Sequence, residues 1–309
     1  MSDNRFQGIY AATVIPMTEH YSIDEDVLCQ HVADVAGVTG IHGLLINGHA
    51  GENFVTSASE KKRVVALCRA SVPSECLLIA GINAEYSFDA AVQAQDAAQA
   101  GADALLVFPP ASWALGPHPN TVLNHHRIIS AATDLPIMLY QAPVNAGGMA
   151  YDAGLLSELV QMPRIVGIKE GSWEVARYEA NRRLVKSITP QVAVMASGDE
   201  HLLTSFVVGS DGSQVSLAVI IPETIVSLAA AIKRNDLVMA QMAHDIIYPL
   251  AKAIYGTAPG SFATARLKAS LKILGRIPCA VTRPPIGPLP DDEIEHLSTL
   301  IYKLGLLDD

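Results

Sequence analysis

Excess positive charge, long apolar stretches, paired cysteines and metal-binding histidine spacings are all missing from this 309-residue chain, and each absence removes a class of function. Lysine and arginine number 21 against 31 acidic residues, a net charge of −10, so the clustered cationic footprint of a nucleic-acid binder is not there. No apolar run reaches the roughly 18–20 residues that span a bilayer, which argues against a membrane partner. Cys29, Cys68, Cys76 and Cys279 form no CxxC pair and sit in apolar or helical stretches, as reduced core residues do. Met1–Arg5 lacks a cationic segment leading into an apolar one, so no secretory leader is expected and a cytoplasmic location is. Among 10 histidines there is neither HxH nor HExxH, and the adjacent His125 and His126 point apart on a predicted helix, so no metal site is expected.

What is present is core-forming material. Half the residues are apolar and 17% charged, a composition that supports a large packed interior and argues against disorder. Short runs rich in Val, Ile and Leu recur at Gly8–Pro16, Gly43–Asn47, Leu77–Ile82, Ala104–Pro109, Pro136–Gln141, Ile165–Lys169, Val192–Ser197 and Gly212–Ala218. Between them lie segments of helical periodicity: Glu25–Val38, Ser57–Ser71, Ser87–Ala100, Thr121–Ala132, Ala153–Gln161, Glu174–Ile188 and Asp199–Val208. Ser57 with Glu60 three residues on makes a capping box at the second of these.

Continuous apolar strands alternating with helices require a parallel sheet covered on its outer face. Eight such units predict an α/β fold, a closed (β/α)8 TIM barrel, over an open doubly wound sheet, for which the first strand lacks a following GxGxxG. Pro222–Arg234 completes the barrel, which is expected to span residues 1–235. Asp236–Tyr255, Phe262–Leu274 and Asp291–Leu304 follow with no strand between them, a three-helix extension over 236–309 packed on the barrel. Pro284-Pro285 and Pro288–Pro290 read as a rigid connector to the last helix.

Active sites of such barrels lie at the carboxyl ends of the strands. Lys169 alone among the chain's lysines falls on a predicted strand, where it ends the run Ile165–Ile168. An amine whose stem points into the barrel loses its proton readily, and a neutral amine is the nucleophile that imine formation with a ketone needs. A lysine facing outward, or paired with Glu170, is the structural alternative. Tyr140 ends the preceding strand; its phenol suits proton transfer at such an imine, and an ordinary half-buried tyrosine is the alternative. Gly48-His49-Ala50-Gly51 forms a loop able to aim backbone N–H groups at a carboxylate, or a simple turn, and no GK[ST] follows to make it a P-loop. His49 either donates to substrate or faces solvent. Asp199-Glu200 caps the following helix or binds substrate hydroxyls.

On these residues the chain resembles the pyruvate-dependent Schiff-base aldolases, a family that includes dihydrodipicolinate synthase, N-acetylneuraminate lyase and the 2-keto-3-deoxy-sugar-acid aldolases and dehydratases. The resemblance runs nearly the whole length and rests on Gly48–Glu52 (GxxGE), Tyr140–Pro143 (YxxP), Gly167–Glu170 (GIKE), Ser197–Glu200 (SGDE) and Gly209–Gly212 (GxxG) in the family's order. It implies a class I lyase in which Lys169 forms the imine with a 2-oxo acid, Tyr140 is the acid/base and the Gly48–Gly51 loop holds the carboxylate. His49, Asn145, Asp199, Glu200, Gln214 and Ser216 would line the substrate, no cofactor would be needed, and the chain would assemble as a homotetramer, a dimer of dimers. The departures are specific. His49 and Ala50 replace the family's loop hydroxyls, Pro109-Pro110-Ala111 offers no tyrosine to reach across an interface, and Asn145 stands where synthases place an arginine. A 2-oxo acid such as a 2-keto-3-deoxy sugar acid is therefore expected over aspartate semialdehyde. A true dihydrodipicolinate synthase and a non-catalytic keto-acid-binding relative are the rival readings.

Overall fold

Every one of the eight apolar runs carries a strand, and a helix follows each: β1 (Gly8–Ala12), α1 (Glu25–Ala36), β2 (Ile41–Ile46), α2 (Ala58–Ser71), β3 (Leu77–Ile82), α3 (Ser87–Gln99), β4 (Ala104–Val107) and α4 (Pro119–Ala132). The series continues with β5 (Ile137–Gln141), α5 (Ala153–Leu159), β6 (Ile165–Glu170), α6 (Val175–Ile188), β7 (Ala193–Ala196), α7 (Leu202–Val207), β8 (Gly212–Val215) and α8 (Pro222–Lys233). In this computed structural model, which describes residues 4–307, the strands pair in chain order, all parallel, and β8 pairs with β1 to close the (β/α)8 barrel. The expected absence of a leader concerns Met1–Arg5, of which Met1, Ser2 and Asp3 lie outside the described residues. No helix among the described residues is long and apolar enough to cross a membrane.

Local chemistry places the boundaries. Asp24, Ser57, Asp152 and Asp236 each accept a backbone N–H from the first turn of the helix they open, and Ser57 with Glu60 forms the expected capping box. Pro119 and Pro222 sit in the first turns of α4 and α8, where no N–H is needed. Five of the strands, β1, β2, β4, β7 and β8, end earlier than their apolar runs do. Val14 and Ile15 extend the first run and are fully buried, yet they lie past the end of β1 and join the outer apolar core, so their apolarity reflects burial and not pairing.

The pleat divides the apolar residues into two cores. Tyr10, Leu45, Ile79, Leu106, Met138 and Met195 point into the barrel, whereas Ile9, Leu44, Leu78, Leu105, Leu139 and Val194 pack outward against the helices. Inside, bulky and absent side chains must alternate. A Cβ on Gly43 would lie 2.6 Å from the Tyr10 ring and 2.3 Å from the Leu77 carbonyl oxygen. Tyr10 fills the lower end of the barrel, its hydroxyl donating to the Arg5 carbonyl at 2.6 Å.

Three further helices, α9 (Leu237–Tyr255), α10 (Ala263–Ile273) and α11 (Asp291–Lys303), share one apolar core with the barrel's helical layer. Two buried cations fasten them. Arg266 donates to Glu293 and to the carbonyls of Ile254, Thr257 and Pro259, joining α10 to the end of α9 and to α11. Lys268 is ion-paired with Glu52 of the β2–α2 loop, both wholly out of water, and donates to the Val281 carbonyl at 2.8 Å. The second oxygen of Glu52 accepts the Arg283 N–H at 2.7 Å. The Arg283 guanidinium in turn grips Glu60 at 2.9 and 2.5 Å and the Tyr21 and Val55 carbonyls. That grip is the largest reason the Glu60 carboxyl is held down near 2. The proline-rich segment after Arg283 is thus more than a connector to α11: it crosses the upper end of the barrel as a strap.

Removing one partner of a buried ion pair leaves an uncompensated charge, at a cost of about 3–5 kcal/mol. Lys268→Met is expected to destabilise the protein by that amount in urea unfolding, and Glu52→Gln added to Lys268→Met to restore most of the loss.

Candidate active site

Pleat parity aims Lys169 inward. On β6, Ile168 and Glu170 face the helical layer and Lys169 faces the barrel axis, 8% exposed. Glu170 does not pair with it: its carboxylate accepts from Asn181 at 2.8 Å and from the Ser172 hydroxyl at 3.0 Å on the opposite side. Both structural alternatives for Lys169 therefore fail to describe its position. Burial pushes its amine down to about 8, against the partial pull of Asp199 in the other direction.

Tyr140 is the register partner of Lys169 on the neighbouring strand, and the lysine nitrogen lies 6.0 Å from the centre of the phenol ring. Gly171 leaves room for this ring; a Cβ there would come 3.3 Å from Cε2 and 3.4 Å from the hydroxyl. Burial raises the phenol above its ordinary range, with the nearby Glu170 charge adding to the effect, so Tyr140 stays protonated at neutral pH.

The loop after β2 is built differently from what its glycines suggest. Gly51 donates to the Gly48 carbonyl and Glu52 to that of His49, each at 3.0 Å, giving two successive tight turns. The left-handed residues are Asn47 (φ 54) and Glu52 (φ 54), and a Cβ on Gly48 or Gly51 would meet nothing closer than 3.4 Å. Neither glycine is sterically required. The backbone N–H groups of His49 and Ala50 find no acceptor among the described residues, and both residues line the cavity. His49 does not face solvent. Its ring is stacked 4.9 Å from Phe54, lies 4.4 Å from Phe108 and meets the edge of Tyr140 at 5.2 Å. Burial and the Lys169 charge push it down to about 3, so it is neutral.

The cavity at this end of the barrel encloses about 480 Å³. Of the residues expected to line it, His49, Ala50, Tyr140, Lys169, Asp199, Gln214 and Ser216 do so, whereas Gly48 and Gly51 close the loop's first turn without lining it. Asp199 caps no helix; one carboxylate oxygen accepts the Leu217 N–H at 3.0 Å, and burial pushes its acid up to about 7. Two expectations are corrected. Glu200 turns away and pairs with Lys252 of α9 at 3.4 Å, because the 3-10 turn Asp199–His201 sends consecutive side chains in different directions. Asn145 is exposed, since the 3-10 turn Gly147–Met149 leans its loop against Ala114 and Pro117 and away from the mouth.

Several wall residues escaped the sequence reading. Trp173 sits four places beyond Lys169 and was findable as part of a strand-end loop. Tyr255, Thr264, Leu267 and Ile286 come from the extension and the strap, and no local signal marks them. His125 and His126 are packing residues around Trp113, both pushed down to about 4 by burial, and among the described residues no three His, Cys, Asp or Glu gather to hold a metal.

The sequence is 27% identical over 301 residues to 4-hydroxy-tetrahydrodipicolinate synthase of Methanothrix thermoacetophila, covering 97% of each chain. Its fold matches that of YagE, a prophage protein of the dihydrodipicolinic acid synthase family from E. coli K12 crystallised with pyruvate, at a TM-score of 0.88, 24% identity and coverage of 97% of this chain and 99% of that one. A protein described as the first monomeric dihydrodipicolinate synthase variant matches equally well, with a TM-score of 0.88, 23% identity and 98% coverage of both chains. The sequence model of the dihydrodipicolinate synthetase family extends over residues 5–304, and the chain belongs to that family.

Proposed function

We propose that the protein is a class I lyase acting on a 2-oxo acid through an imine on Lys169. One observation carries the reading: an amine buried at the end of a barrel strand, its proton affinity lowered to about 8, lies in register with a phenol on the adjacent strand. The neutral amine adds to C2 of the oxo acid, and Tyr140 gives its proton to the departing carbinolamine hydroxyl, releasing water. The resulting iminium draws electrons from the C3–C4 bond or from a C3–H bond and becomes an enamine. The phenolate left on Tyr140 faces the cation it helped to create and recovers a proton from the substrate, for aldol cleavage from the C4 hydroxyl. Protonation at C3 and hydrolysis then free the amine.

The free N–H groups of His49 and Ala50 are placed to hold the oxo acid's carboxylate, with Gln214, Ser216 and Asp199 around the rest of the reacting end. The described residues supply no hydroxyl relay to Tyr140, since His49 packs on it as an aromatic ring. Asn145 points to solvent, and the cavity offers a second carboxylate no cation besides Lys169. This favours a lyase of another 2-oxo acid over a synthase using aspartate semialdehyde. Every step uses the chain's own groups, without a cofactor. Free thiols at all four cysteines fit a cytoplasmic enzyme. The family's habit of association, and the exposed apolar residues Leu237, Val238 and Met242 on α9, Tyr86 and Phe88 at the start of α3 and Leu115 in the β4–α4 loop, fit a homotetramer.

Borohydride reduction with pyruvate is expected to add a pyruvate-derived group to Lys169 by mass spectrometry, in the presence of EDTA as well; no adduct with any 2-oxo acid tried would sink the reading. Tyr140→Phe should trap too, with turnover reduced about 10²-fold or more. The trapping rate should rise with pH through a midpoint of about 8 and level off above it, because only the deprotonated amine attacks. Asp199→Asn should move that midpoint to lower pH, since the Asp199 charge helps keep the proton on Lys169. Light scattering after gel filtration should give about four chain masses.

A further inference from the structure

The cavity's polar and apolar groups are segregated, and the division bears on what can bind there. Side chains from the strand ends (Lys169, Tyr140, Ser197, Asp199, Gln214 and Ser216) make the polar floor. Above them the wall comes from loops, extension and strap: Phe54, Pro143, Trp173, Leu267, Pro285 and Ile286. Of the polar residues in this upper part, Glu52 has both oxygens committed to Lys268 and the Arg283 N–H. The Thr264 hydroxyl donates to the His49 carbonyl at 3.4 Å. The Tyr255 hydroxyl is buried near Asp199 and Ser216 of the floor with no hydrogen-bond partner among the described residues, and its ring lies 5.3 Å from that of Trp173. Ser261 stands at the exposed lip.

Trp173 adds an independent observation. Its backbone is left-handed (φ 59), a conformation that a bulky side chain adopts at a cost and keeps only where its surroundings impose it. The outcome is an indole, half-buried, set against Tyr255 in the upper wall directly after the strand of Lys169. The stacked His49–Phe54 pair, in which Phe54 is 61% exposed, gives the same cavity a second aromatic surface.

We infer that the substrate is a 4-substituted 2-oxo acid whose tail, from C4 outward, is apolar, an aromatic ring or a branched alkyl group seated between Trp173, Phe54 and Ile286. The inference rests on the Lys169 imine reading and narrows it. With C1–C3 bound at the floor, the tail meets a wall with no free charge, the Tyr255 hydroxyl at its foot and one hydroxyl at the lip. A second carboxylate, a phosphate or a chain of hydroxyls would leave water there for no cation and too few hydrogen-bonding groups. Glu200, half of the acidic pair weighed as a binder of substrate hydroxyls, is engaged with Lys252 instead. In the cleavage direction a 4-hydroxy-2-oxo acid yields pyruvate and an apolar aldehyde: the C4 hydroxyl proton passes to the Tyr140 phenolate, the C3–C4 electron pair moves to the iminium, and C4 becomes the carbonyl carbon.

The test measures condensation of pyruvate with benzaldehyde, isovaleraldehyde, D-glyceraldehyde and aspartate semialdehyde, alongside borohydride trapping of 2-oxo-4-phenylbutanoate and 2-keto-3-deoxygluconate on Lys169. The two apolar aldehydes should exceed the two polar ones in kcat/KM by about 30-fold or more. Should no aldehyde turn over, the trapping pair decides, with the phenyl acid expected to label at the lower concentration. Trp173→Asn should shift the benzaldehyde-to-glyceraldehyde ratio at least about 10-fold toward glyceraldehyde, a change of ratio that general loss of structure would not give. Equal or better use of the polar aldehydes, or of the sugar acid in trapping, overturns the apolar tail while leaving the imine intact. Failure to trap pyruvate or either of these 2-oxo acids overturns both.

Discussion

Keeping water from one amine is the constraint around which the upper end of this barrel is organised. An ammonium loses hydration as it is buried, and nothing at Lys169 repays the loss in full: Glu170 is on the other face of the strand, and Asp199 is itself so desolvated that its acid is pushed up to about 7. The group gives up its proton more easily as a result. Tyr140 experiences the same desolvation with the opposite consequence, because a phenol is neutral when protonated, and so it keeps its proton where the amine loses one. A single dry environment thus sets a base and an acid beside each other.

Dryness depends on the roof, and the roof depends on buried ions. Glu52 stands at the centre, bonded to Lys268 of α10 and to the backbone of Arg283, whose side chain reaches the capping glutamate of α2. These contacts tie together four stretches of chain: the loop bearing His49, the start of α2, the extension and the proline-rich strap. The helices after the eighth strand are therefore part of the cavity wall, through Tyr255, Thr264 and Leu267.

How much of this was legible follows from the kind of order each residue obeys. The barrel was readable because apolar runs and helical periodicity are local, and Lys169 and Tyr140 because strand ends and pleat parity are regular. Irregular backbone defeats that reasoning: Asp199 and Glu200 are neighbours in a 3-10 turn, yet one enters the cavity and the other finds Lys252, and Asn145 follows its loop outward. The glycines of the β2–α2 loop drew attention for a conformational freedom that Asn47 and Glu52 exercise instead. Glu52 and Lys268 lie 216 positions apart, and no pattern within either segment announces the other.

The chain has two tryptophans, and the fold treats them unequally. Trp113 is buried against His125 and His126 of α4, whereas Trp173 is half-buried in the cavity wall against Tyr255. Indole emission responds to local polarity and to neighbouring rings, so one fluorophore supplies a steady background while the other registers whatever enters the mouth. The protein carries its own optical gauge of occupancy, without any label attached.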